Sequence, residues 1–240
     1  MLGRFYGLGV GPGDPELLTL KARRLLEKVP VVAAPRSKSE EGLALSIVRP
    51  FLAPGTRVLE LDFPMTAQPE LLELAWEKSA ELVLAELRQG RDVAFVTLGD
   101  PSLYSTYGYL VERLRQKERD LPLTTIPGVS SLSAAAAATG TALAEGRAGL
   151  AILSSFDEEV FLRVLELFDS VVLFKVARYL PRLKELLESK DLADRAILVS
   201  RLGLPGEAIY PSLKDWPGEK VDYLSTLIIK KGSKKDVGTV

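Results

Sequence analysis

Acid–base and nucleophilic chemistry in this chain falls to carboxylates, lysines, tyrosines and hydroxyls, because none of its 240 residues is Cys or His. Disulfides, thiol nucleophiles, imidazole bases and the usual zinc sites are thereby excluded. What remains gathers beside glycine in three segments: Gly9-Val10-Gly11-Pro12-Gly13-Asp14-Pro15, Gly99-Asp100-Pro101 and Pro127-Gly128-Val129-Ser130-Ser131. In the second, the apolar run 93–98 reads as a buried parallel strand that delivers Gly99, Asp100 and Pro101 straight into a new helix. Asp100 can cap that helix's amides with Pro101 in its first turn, and ligands of open α/β sheets sit at such strand ends. A plain helix cap and a ligand-holding loop are both compatible with these residues.

The first glycine loop narrows the ligand class. A G-x-G-x-x-G fingerprint would need Gly where Asp14 stands, and the second strand closes Val31-Val32-Ala33-Ala34 with no acidic residue for a ribose. No P-loop Gly-Lys-Ser/Thr is present. Asp14 would also place negative charge where a phosphate should bind, so the loop suits a ligand of another kind. Cations form a second set of candidates. Arg36, Lys38, Lys175, Arg178 and Arg201 follow expected strands or lie near strand tips, where they could grip carboxylates, although a solvated surface role fits each of them as well. Lys175 stands out because it interrupts the apolar run 171–174, and a buried strand rarely tolerates an unpaired ammonium. Tyr104, Tyr107 and Tyr109 could offer an aromatic platform, but their spacings of three and two forbid one shared helical face. Tyr104 and Tyr107 could pair, and core packing is expected of Tyr109.

Alternating strands and helices must position these groups. Strands are expected at 5–10, 29–34, 57–61, 92–98, 123–126, 150–154, 171–176, 196–200 and 223–229. Helices are expected at 15–28, 43–51, 69–89, 101–117, 131–138, 158–168 and 180–188. The alternation predicts an α/β fold, and the length favours two domains, 1–119 with the Gly-rich and Gly-Asp-Pro loops and 120–232, followed by a loose tail at 233–240. No apolar run approaches the roughly 20 residues of a membrane span, and Met1-Leu2-Gly3-Arg4 leads into a strand instead of a signal core. A net charge of −1 argues against whole-molecule attraction to nucleic acid. A cytoplasmic protein without membrane or nucleic-acid partners is the expectation, and no metal site is assigned.

The three glycine segments, in this order and with Leu17-Leu18-Thr19 after the first, resemble the tetrapyrrole (corrin/porphyrin) methyltransferase family over residues 5–231. Two stretches, Gly99-Asp100-Pro101-Ser102-Leu103-Tyr104-Ser105-Thr106-Tyr107 and Val172-Leu173-Phe174-Lys175-Val176-Ala177-Arg178, are similar to the branch that methylates precorrin-2 at C20. Relatives acting on uroporphyrinogen III usually carry Tyr-Met in the latter stretch. Their second strand typically ends Tyr-Asp-Arg, whereas Ala34-Pro35-Arg36 stands here, so no proton-accepting Asp is carried over.

The resemblance implies two α/β domains with S-adenosylmethionine in the cleft between them, a homodimer, and an enzyme that methylates a tetrapyrrole in cobalamin biosynthesis. It further implies cofactor contacts at Pro12, Leu98, Gly99, Asp100, Leu103, Ser130, Ser131, Val176 and Leu202. Arg36, Lys38, Tyr104, Tyr107, Lys175, Arg178 and Arg201 then become candidates for a rim around a polycarboxylate substrate, with Lys175 expected to face the cleft. A sulfonium donor and an electron-rich meso carbon need orientation more than acid–base help. No catalytic group is therefore assigned, and Asp100 and Lys175 are positioning candidates. The alternatives are a same-fold methyltransferase of another tetrapyrrole, a protein residue or rRNA, and a noncatalytic nucleotide-binding module.

Overall fold

Period-two alternation builds the first sheet. β1 (Phe5–Gly9), β2 (Val31–Pro35), β3 (Arg57–Leu61), β4 (Val93–Thr97) and β5 (Leu123–Ile126) lie in the order β3-β2-β4-β1-β5, all parallel. Leu8, Val32, Ala94 and Val96 face one way and pack with α1 (Leu20–Leu26) and α2 (Leu43–Val48). Phe5, Val31, Val93 and Phe95 face the other way, under α3 (Pro69–Arg88) and α4 (Tyr107–Lys117). Burial on both faces explains why these strands read as nearly continuous apolar runs. The chain leaves β1 toward β2 on one side and leaves β4 toward β5 on the other. β1 and β4 are neighbours, so their carboxyl ends flank a topological switch point, the usual ligand crevice of such sheets.

This computed structural model describes residues 1–36, 42–64, 66 and 68–231, and its chain separates into two units, Met1–Ser130 and Ser131–Val240. Lys38 and the expected loose tail lie outside the described residues. The second unit begins with α5 (Ser131–Ala138), which packs on β10 (Ser225–Lys230). Its sheet, ordered β6-β7-β10-β8-β9, also contains β6 (Leu150–Leu153), β7 (Ser170–Phe174), β8 (Ala196–Ser200) and β9 (Ala208–Tyr210). Only β6 and β7 pair in parallel; the other three pairings are antiparallel. α6 (Glu158–Leu167) and α7 (Leu180–Ser189) cover the face formed by Val171, Leu173, Leu198, Leu227 and Ile229.

Four features differ from the sequence expectations, the first being that the single helix expected over 15–28 is split by extended Leu18 and Thr19 into a 3-10 turn at Pro15–Leu17 and α1. The units divide after Ser130 instead of after residue 119, because β5 pairs with β1 and carries the Pro127-Gly128 loop into the first sheet. The helix expected from Pro101 starts at Tyr107, since residues 101–106 form turns with Tyr104 in a left-handed conformation, φ +51°. β9, three residues long, has no expected counterpart; too short to show an alternating pattern, it is held by its antiparallel pairing with β8.

Candidate functional site

At the switch point the strand ends are bound to one another by backbone. Val10 N–H donates to the Thr97 carbonyl at 3.0 Å, and Gly99 N–H donates to the Gly11 carbonyl at 2.8 Å. The third loop closes against these two so tightly that only glycine is accommodated. A Cβ on Gly9 would sit 2.5 Å from Gly128 N, and one on Gly128 would sit 2.2 Å from the Gly99 carbonyl oxygen. Gly99 itself adopts a left-handed backbone, φ +66°, and its carbonyl oxygen is what crowds positions 9 and 128.

Asp100 ties this junction together. Its Oδ1 accepts the Ser102 N–H at 2.8 Å and the Ser102 hydroxyl, while Oδ2 accepts the Gly128 N–H at 2.9 Å. Partial burial pushes the carboxyl pKa up, but the hydrogen bonds from Ser102 and Gly128 outweigh it and hold the group below its ordinary value. Asp100 is therefore an ionised carboxylate whose hydrogen bonds tie two loops together. It caps a turn at Ser102 instead of the first turn of α4. Ser105, which sequence reasoning passed over, prepares the helix start: its hydroxyl contacts Thr97 Oγ1 at 2.9 Å and accepts the Tyr107 N–H at 3.1 Å. Asp14 similarly caps its own turn through the Glu16 N–H at 2.8 Å.

Around the junction, Leu98, Gly99, Leu103 and Ser130 are half-buried, Pro12 is buried, and half-buried Ser131 opens α5. Tyr104 is exposed. Tyr107 is corrected from a platform to a core residue. It is 7% exposed, it stacks between Phe5 and Phe95, and its hydroxyl meets Thr125 Oγ1 at 2.6 Å. Glycine at position 7 makes room for that ring. Tyr109 is corrected in the opposite direction: it lies on the surface, stacked on Trp76 at 4.5 Å. Arg36 follows β2 at the same sheet edge and pairs with Asp62 at 3.3 Å and Glu60 at 3.7 Å.

In the second unit, Lys175 lies one residue beyond β7 and not within it, in a left-handed turn with its ammonium 5.5 Å from the centre of the Tyr223 ring. Arg201 holds the equivalent place after β8 and pairs with Asp222 at 2.8 Å. Leu202 beside it is half-buried. Arg178 is exposed and lies over its neighbour's ring, Tyr179. Val176 is 1% exposed within the second core, so its side chain packs inside this unit. Asp222 and Tyr223 gave no sequence signal, since they precede an apolar run without glycine or proline beside them. Among the described residues, no group of three or more Asp and Glu is placed to hold a metal ion, and no helix is long and apolar enough to cross a membrane.

A five-stranded parallel sheet with a glycine-bound switch point, followed by a mixed sheet, makes this an α/β protein. The sequence profile of the Tetrapyrrole (Corrin/Porphyrin) Methylases matches residues 4–215, and the chain belongs to this family. The cobalt-precorrin-2 C(20)-methyltransferase of Salmonella typhimurium is 37% identical over 234 residues, 96% of this chain and 98% of that relative. The precorrin-2 C(20)-methyltransferase of Sinorhizobium sp is 32% identical over 237 residues, 95% of each. Among solved structures, a uroporphyrin-III C-methyl transferase from Thermus thermophilus complexed with S-adenyl homocysteine matches with a TM-score of 0.66 at 26% identity, over 95% of this chain and 92% of that one.

Proposed function

We propose that this chain transfers the methyl group of S-adenosylmethionine to C20 of precorrin-2 or of its cobalt-loaded counterpart. The observation that carries this reading is the near-full-length similarity to C(20)-methyltransferases, in which both sheets and all three glycine loops take part. S-adenosylmethionine supplies an electrophilic methyl group on a sulfonium, and the junction suits such a donor. Its neutral walls, Leu98 and Leu103, are half-buried, while ionised Asp100 disfavours a phosphate and is compatible with a cation. Pro12, Leu98, Gly99, Asp100, Leu103, Ser130 and Ser131 would hold the donor on this reading, and Val176 and Leu202 are the further contacts that the family resemblance implies. With no His or Cys available, the rate enhancement comes from alignment, for which orientation can contribute on the order of 7–11 kcal/mol. A homodimer in the cytoplasm completes the reading, supported by the family resemblance, and sedimentation equilibrium measures the oligomeric part of it.

The test is anaerobic incubation with methyl-labelled S-adenosylmethionine and, separately, precorrin-2, cobalt-sirohydrochlorin and uroporphyrinogen III, with the label located by mass spectrometry and NMR. Label at C20 of either one is the expected result. Label on uroporphyrinogen III alone, or on no tetrapyrrole, overturns the assignment.

A further inference from the structure

We infer that Asp222 and Tyr223 form a positioning pair that holds Arg201 and Lys175 where they can grip the carboxylate arms of the substrate. The inference rests on the proposed function and deepens it by naming how the second unit recognises a polyanion.

The argument starts with strand directions. β7 and β8 flank β10 on either side and both run antiparallel to it, so both end beside its first residues. The residue following each strand is a long cation in left-handed backbone, Lys175 at φ +58° and Arg201 at φ +53°. Side chains other than glycine keep that conformation only where their surroundings hold it, and such residues cluster at functional sites. Here the holding groups are successive residues of one segment. Lys175 N–H donates to the Ser225 carbonyl and Arg201 N–H to the Leu224 carbonyl, each at 2.8 Å.

Side chains repeat the arrangement. Asp222 Oδ2 accepts from Arg201 Nη1 at 2.8 Å, and its Oδ1 accepts the Leu224 N–H at 2.8 Å, which anchors the carboxylate to its own strand entry. Burial pushes the Asp222 carboxyl pKa up, but the Leu224 N–H and the Arg201 guanidinium outweigh it and keep the group ionised. The next residue, Tyr223, is half exposed and places its ring under the Lys175 ammonium. A cation over a ring is oriented without being neutralised, so Lys175 retains its charge and its three N–H donors. Arg201 spends Nε on the Pro205 carbonyl at 2.7 Å and one Nη1 proton on Asp222, and its remaining N–H groups have no other acceptor among the described residues. Both cations thus keep donors for an external anion. A cavity of about 350 Å³ beside Arg201, lined also by Tyr210, Lys220 and Asp222, adds a further cation and has room for a carboxylate arm.

The measurement is steady-state kinetics of the intact protein with whichever of precorrin-2 and cobalt-sirohydrochlorin the wild type methylates, in wild type, Tyr223→Leu, Tyr223→Phe and Asp222→Asn, together with thermal unfolding. Tyr223→Leu and Asp222→Asn should each raise KM for the tetrapyrrole about threefold to tenfold, with KM for S-adenosylmethionine unchanged. Tyr223→Phe keeps the ring and should keep the wild-type KM. An unchanged tetrapyrrole KM in both Tyr223→Leu and Asp222→Asn overturns the inference. So does a rise in KM for both substrates that tracks lost thermal stability, because a strut with only a structural role would behave in that way. Wild-type transfer to either tetrapyrrole secures the underlying function, so that these outcomes strike the inference alone. Absence of wild-type transfer strikes the function, and the inference with it.

Discussion

Asp100 joins two loops with one carboxylate, and its ionisation is the part of the site that pH can reach. The folded-state pKa lies below the ordinary value of about 3.9, so the stabilisation is complete above that value and is lost as pH falls through the folded-state pKa. Asp100→Asn replaces an acceptor oxygen with a donor and should cost about 1–3 kcal/mol at neutral pH. The gap between wild type and this variant should narrow below pH of about 4, as measured by urea unfolding across the acid range. Gly128 meets its constraint from the other side. Gly128→Ala puts a methyl group 2.2 Å from a backbone oxygen that has no rotamer to escape into, and should cost about 3 kcal/mol in the same assay. The alanine variant should also bind S-adenosylhomocysteine more weakly in calorimetry, since the loops it separates carry the proposed donor contacts.

At the scale of elements, α4 shows what the sequence could and could not reveal. Its apolar face was legible because Leu110 and Leu114 repeat at helical spacing, and β4 was legible because both of its faces are buried. Its starting point was not, because Asp100-Pro101 carries the signature of a helix cap while the chain spends residues 102–106 on the Thr97–Ser105 contact and the left-handed Tyr104. Tyr107 misleads for a related reason: a tyrosine near a ligand loop resembles a platform, and only its pairing with Gly7 across the sheet reveals a core residue. Tyr107→Phe should therefore cost about 1 kcal/mol of stability through the lost Thr125 contact and leave the tetrapyrrole KM and kcat unchanged. The glycine loops were legible as strand-end loops, whereas their mutual contact was not, since β1, β4 and β5 meet across more than a hundred residues of chain. Lys175 was legible as an interruption, but one residue of strand length decides whether it lies inside a sheet or at its tip.

For the molecule as a whole, a net charge of −1 means that attraction of a polyanionic substrate is a local affair. Among the described residues, the cations proposed to provide it, Lys175 and Arg201, are paired with one carboxylate, Asp222, and Arg201 is about one-third exposed. Partly exposed charges are screened as the Debye length falls from about 10 Å at 0.1 M salt to about 3 Å at 1 M. The KM for the tetrapyrrole should therefore rise several-fold across that range. S-adenosylmethionine, with its charges of both signs and the apolar Leu98 and Leu103 proposed beside it, should show a KM that changes little over the same titration. Wild type should lose this salt dependence in part when Lys175 is replaced by Met, because one of the two screened cations is then absent. A tetrapyrrole KM that stayed flat with salt in both proteins would place the substrate's carboxylates away from this end of the second sheet. Recognition would then fall to Arg36 at the edge of the first sheet, whose partners Glu60 and Asp62 would have to yield to the substrate's carboxylates.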